Sequence, residues 1–95
     1  MSVYRVGEVQ AKEGLVEDLR EFLRSILPLI AASEGCQSVQ LYQRQDDPST
    51  FMIIEVWDTV ESHRASVKNI PPEKLGEIQP LLATSPSGSY FHLIK

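Results

Sequence analysis

With a single cysteine the chain cannot form an internal disulfide, which fits a reducing compartment better than an oxidising one. No cluster of Cys and His has the spacing of a metal site, and no Gly-x-Gly-x-x-Gly turn is present to cradle a dinucleotide. Basic residues are few and scattered: nine Lys and Arg stand against thirteen Asp and Glu, a formal charge of −4. Nothing therefore offsets the phosphates of a nucleic acid, and no basic patch favours a membrane surface. The apolar runs, such as Leu29 to Ala32, fall far short of the ~20 residues that cross a bilayer. The opening MSVYRVGEV has neither the basic n-region nor the apolar h-region of a secretory signal. These absences predict a soluble cytoplasmic protein with no metal, cofactor, nucleic-acid partner or membrane partner.

What is present is enough for one domain over residues 1–95. A chain of this size buries only about 60–65% of its unfolded surface, so pairing with a second copy is a common route to stability. The stretch from Gly35 to Thr59 organises the rest. Val39 and Leu41 alternate with Ser38, Gln40 and Tyr42, the period of two of a sheet strand. After the loop residues DDPST, Phe51 to Trp57 is almost wholly apolar and rich in β-branched and aromatic residues, as in a strand covered on both faces. Glu55 is the one charge inside that run, so it needs a partner or a raised pKa.

Val3 to Gln10 reads as a first strand, with Arg5 sharing a face with Val3 and Val9. Leu15, Leu19, Phe22, Leu23, Ile26, Leu27 and Ile30 recur at spacings of three and four, one apolar stripe on a long helix. Pro28 removes a donor and crowds the turn before it, which predicts a kink there. Gly35 is the expected stop. Asp58 and Glu61 have the spacing of a capping box for a helix with Val60, Arg64 and Val67 along one side, ending at Asn69. Pro72 can open another short helix with Leu75, Ile78 and Leu82 inward, and Pro80 should bend or end it. Thr84 to Ser89 reads as a loop, and Tyr90 to Ile94 as the last strand.

The order strand, helix, strand, strand, helix, strand predicts an α+β, ferredoxin-like βαββαβ sandwich. Phe51, Ile53 and Trp57 share one parity of the third strand, and Met52, Ile54 and Val56 the other. One apolar face is then left without helices, and a homodimer packed sheet against sheet would cover it.

In this order and at these spacings, the strand leading to AKEG, the segments SEGCQSVQLYQ and DDPSTFMIIEVW, the D-x-x-E-S-H-R-A-S helix and a final aromatic strand make up a recognisable set. The chain resembles the antibiotic biosynthesis monooxygenase domain family, whose members form a dimeric α+β barrel. The resemblance implies a cofactor-independent monooxygenase acting with dioxygen on a small aromatic, anthrone or quinol-like substrate. The haem-degrading branch of that family uses an Asn on the first strand and a Trp in the helix after the third. This chain has neither, which argues against haem degradation. Other members carry a His where this chain has Ser66.

An oxygenase of this kind needs a proton acceptor, an apolar pocket and polar groups that stabilise a substrate anion. The two histidines, His63 and His92, are the candidate bases, because imidazole titrates near neutrality. A strand position for His92 would fix it better than the first turns of a short helix, so it is the preferred base. Trp57 could wall the pocket and stack on a planar ring, or anchor the core. Tyr42 and Tyr90 could donate hydrogen bonds to a substrate oxygen, or be satisfied core residues. Glu55 and Arg5 could contact substrate, or form a structural salt link. Cys36 reads as a small buried apolar residue, and Ser66 and Asn69 as helix-end residues. Two other classes fit the same residues: a non-catalytic dimeric module that binds a small ligand, and an isomerase that moves a proton on the same fold.

Overall fold

In the computed structural model, which describes every residue from Met1 to Lys95, the apolar run of the sequence becomes an inner strand. That strand, β3 (Thr50–Trp57), pairs antiparallel with β1 (Val3–Gln10) on one side and β2 (Cys36–Gln43) on the other. The last strand, β4 (Ser87–Phe91), pairs antiparallel with β1, so the sheet order is β2-β3-β1-β4. This is the ferredoxin-like α+β arrangement. No helix is long and apolar enough to cross a membrane.

The helix α1 (Val16–Ala31) lays its apolar stripe on one face of the sheet. Leu19, Phe22, Leu23, Ile26 and Ile30 are buried there with Phe51, Trp57, Ala11 and Leu82, and Val39, Leu41 and Ile53 pack around them. Trp57 and Leu19 are completely inaccessible. The odd-numbered residues of β3 thus supply the core. Met52, Ile54 and Val56 lie on the other face, level with Glu8, Val6 and Tyr4 of β1, and none of them belongs to the core. α1 continues through Pro28 to Ala31. Proline costs it one amide donor, while the Ala32 amide still reaches the Pro28 carbonyl at 3.0 Å.

The turn out of α1 is built on Gly35, with φ of +89°. Its carbonyl accepts from the Asp58 amide at 2.9 Å, which ties the start of β2 to the end of β3. A Cβ here would come within 2.6 Å of Ser62 Oγ and would also strike the Asp58 carboxylate. Gly35→Ala should therefore cost about 1–3 kcal/mol, the usual range for a non-glycine residue forced into a left-handed conformation. A fall in the urea midpoint measures it, and an unchanged midpoint would show that the turn can rearrange.

Several local expectations are corrected. The cap of α2 (Val60–Ser66) is Thr59, not Asp58: the Thr59 hydroxyl accepts from the Ser62 amide at 3.0 Å. Asp58 instead holds Ser62 from outside the helix, and that hydrogen bond keeps its carboxyl below the ordinary aspartate range. A 3-10 turn over Val67–Asn69 follows α2 and leaves Val67 exposed. Pro72 does open the short helix α3 (Pro72–Gly76), but Leu75 is exposed, and α3 ends before Pro80 is reached. β4 begins inside the segment expected to be a loop and stops at Phe91, so His92 to Ile94 are not strand. Pairing sets that boundary: the Ala83 amide bonds to the Gln10 carbonyl at 2.8 Å, which feeds the chain back alongside β1 early.

Candidate functional site

Strand register puts three of the candidate side chains in one row. Arg5 lies opposite Glu55 on β3 and opposite Tyr90 on β4. Glu55 has the parity of Phe51 and Trp57, so the row sits on the helix-covered face. His63 is the fourth member, brought over the row by α2, whose start is held by the Thr59 cap and the tight Gly35 turn.

The contacts are continuous. His63 Nδ1 and the Tyr90 hydroxyl are hydrogen-bonded at 2.5 Å, with a direction that follows the imidazole tautomer. The two rings meet edge to face at 5.3 Å, and His63 makes the same kind of contact with Trp57 at 5.6 Å. Trp57 Nε1 donates to Glu55 Oε1 at 2.9 Å, and that oxygen lies 3.8 Å from His63 Nε2. Arg5 extends over the Tyr90 ring, with Cζ 5.1 Å from the ring centre. Ser66, one turn beyond His63, donates to the His63 carbonyl. The side chains of His63 and Glu55 are only 15% and 12% exposed.

An ion pair between His63 and Glu55 would raise the imidazole pKa and lower that of the carboxyl. Both shifts run the other way. Burial pushes Glu55 above its usual 4.5, against the opposing pull of the Trp57 hydrogen bond and Arg5. Burial, helped by Arg5 and Arg64, pushes His63 below its usual 6.5. Each group resists charging, so the 3.8 Å approach is a contact of two groups held toward their neutral forms. The consequences for stability have opposite signs. The Glu55 contribution is complete below pH 4.5 and is lost as pH rises through the higher folded value. The His63 contribution is complete above pH 6.5 and is lost as pH falls through the lower folded value. Glu55→Gln should abolish the first of these losses in urea midpoints measured across pH. An unchanged profile would mean that Glu55 titrates as it does in the unfolded chain.

The salt link expected between Arg5 and Glu55 does not form. Trp57 Nε1 takes the carboxylate, and Arg5 turns the other way, toward β4. Trp57 is wholly buried, so no face of its ring is open for stacking. His92 lies past the end of β4 and is exposed, so the strand position that favoured it is absent. Tyr42 is on the opposite face of the sheet, 41% exposed and bonded to Gln40. It lines a depression of 270 Å³ at the hairpin end of the sheet with Glu8, Arg44, Phe51 and Met52. A second depression, of 260 Å³, adjoins it and is also remote from the row. Cys36 is half-buried against the core, its thiol pushed up chiefly by burial.

The sequence pattern of the antibiotic biosynthesis monooxygenases matches residues 2–79. The chain belongs to the antibiotic biosynthesis monooxygenase family. The fold of that family is also found in its structural relatives. A Mycobacterium tuberculosis protein superposes with a TM-score of 0.86 at 15% identity, over 100% of this chain and 97% of that one. A Nitrosomonas europaea protein gives 0.87 at 17% identity, over 98% and 90%. A Pseudomonas aeruginosa protein gives 0.85 at 20% identity, over 99% and 95%. No protein of curated function matches the chain.

Within this family member, sequence reasoning missed Gly88. It lies on β4 opposite Gly7, and a Cβ there would fall 2.5 Å from Arg5 Cζ. Its place in a Pro/Gly/Ser stretch read as loop composition. The only signal that could have found it is the small residue two before Tyr90, on the same strand face.

Proposed function

We propose that this protein is a cofactor-independent monooxygenase that oxidises a small electron-rich phenol, anthrone or quinol, with His63 as the proton acceptor. The observation that carries this reading is the hydrogen bond between His63 Nδ1 and the Tyr90 hydroxyl, on an imidazole held toward its neutral form. A neutral imidazole can accept a proton where an imidazolium cannot. The substrate hydroxyl donates to Tyr90 Oη as the Tyr90 proton moves to His63 Nδ1, so Tyr90 relays the proton without net change. Trp57 positions Glu55, and Glu55 in turn limits where the imidazole can lie.

The substrate anion then reduces dioxygen by one electron, and the two radicals combine to form a carbon–oxygen bond. The peroxide anion takes the proton back from His63 through Tyr90, and at an anthrone methylene the hydroperoxide then loses water to leave a carbonyl. One oxygen atom of dioxygen enters the product, and the other leaves as water. Oxygen uptake with a panel of anthrones and quinols tests the reading. Solvent-proton exchange into a ligand without uptake would favour the isomerase. Binding with neither would favour the ligand-binding module.

We also infer that a second copy of the chain covers the open face of the sheet. Tyr4, Val6, Met52, Ile54 and Val56 lie there outside the core, and Phe91 is 54% exposed. An interface of this kind tends to exceed roughly 2,000 Å² in total. Sedimentation should show a dimer at micromolar concentration, and a folded monomer would overturn the inference.

A further inference from the structure

Arg5 is a half-buried residue whose guanidinium has no ion pair and no side-chain hydrogen bond. The ion pairs of the chain use Arg20, Arg24, Arg44 and His63. Glu55, its neighbour across β1 and β3, is occupied by Trp57. A planar cation with five donors rarely lies partly out of water without an acceptor. It lies over the face of the Tyr90 ring, with Cζ 5.1 Å from the ring centre, and that contact leaves the guanidinium edge free. The place it occupies is kept open by Gly88: a Cβ there would overlap Nη2 and lie 2.5 Å from Cζ and 3.0 Å from Nη1. The base and the cation thus share Tyr90, with His63 at its hydroxyl and Arg5 over its ring.

We propose that Arg5, seated in the space left by Gly88, is an anion-binding residue of this site, and that the substrate is an aromatic acid whose carboxylate it holds. A carboxylate matches the guanidinium fork in two parallel hydrogen bonds. Held there, the acid would leave its ring hydroxyl to be presented to Tyr90. The substrate class rests on the site proposed above, but its test is one of binding and needs no turnover.

Benzoate and the neutral, near-isosteric benzamide are titrated separately into the intact protein, followed by backbone and His63 ring NMR shifts. Benzoate should bind about tenfold more tightly or better, the factor expected of a charge-assisted pair. Its shifts should centre on Arg5, His63 and Tyr90. Arg5→Met should abolish the preference, Arg5→Lys should keep part of it, and Gly88→Ala should weaken it by displacing the guanidinium. Equal affinity of the two probes, binding of neither, or a preference that survives both Arg5→Met and Gly88→Ala overturns the proposal. The wild-type comparison decides even where a variant does not fold. A benzoate preference without oxygen uptake on any substrate would sink the oxygenase reading and leave the anion site standing.

Discussion

Replacing Trp57 by alanine should destabilise the domain by about 3–5 kcal/mol, the cost of removing a large aromatic side chain from a packed core. Trp57 is fully inaccessible and belongs to the same buried cluster as Leu19 and Phe51. A second effect adds to the first. The indole donates to Glu55 Oε1, and its loss leaves a nearly buried carboxyl without that donor. Against the ~5–15 kcal/mol that holds a domain of this kind folded, the combined loss is a large fraction. Chemical denaturation measures it, and a change below about 1 kcal/mol would mean that the site collapses without cost. Trp57→Phe separates the two effects. The phenyl ring restores much of the volume but not the donor, so the stability loss should shrink while the Glu55 pKa rises further. The direction follows because the Trp57 hydrogen bond pulls that pKa down. A Glu55 titration that does not move would show that the indole bond leaves the carboxyl unaffected.

Replacing His63 by alanine should lower kcat/KM for an anthrone or quinol by about 10²–10⁴-fold, the usual share of general-base catalysis. The fold should survive, because His63 lies outside the apolar core, at its rim beside Trp57 and Tyr90. Circular dichroism melting checks that condition. Tyr90→Phe should lose much of the same factor, and the double variant little more than either alone, since one relay is broken in both cases. The pH profile supplies an independent sign. The base must be neutral to work, and burial holds His63 below its usual 6.5. Activity should therefore persist below pH 6.5 and fall along an acid limb set by the lowered value. That limb should be missing in His63→Ala. A substrate already ionised at the working pH should lose much less, because its proton needs no acceptor. Full activity in His63→Ala on an un-ionised substrate would move the proton acceptor to Glu55 or elsewhere.

The architecture was legible in the sequence because the pattern of apolar residues carries it. Strict parity in Phe51 to Trp57 separated a core face from an open face, and three-and-four spacing from Leu15 to Ile30 marked the helix that covers the core. Pro72 at a helix start was legible for a similar reason, since backbone covalent geometry decides it. Arg5, Glu55, Trp57, His63 and Tyr90 could also be named in advance as side chains that need partners. The partners themselves depended on register and on tertiary approach. Arg5 and Glu55 are directly opposed on neighbouring strands, yet each turns to something else, because Trp57 Nε1 competes for the carboxylate and Gly88 opens a berth on β4. A strand position would favour His92 over His63, but β4 ends at Phe91, a boundary set by where the chain rejoins β1. Apolar periodicity is a local property repeated along the chain, and it survives without coordinates. The direction a polar side chain takes is a choice among competing partners far apart in sequence, and only the folded packing decides it.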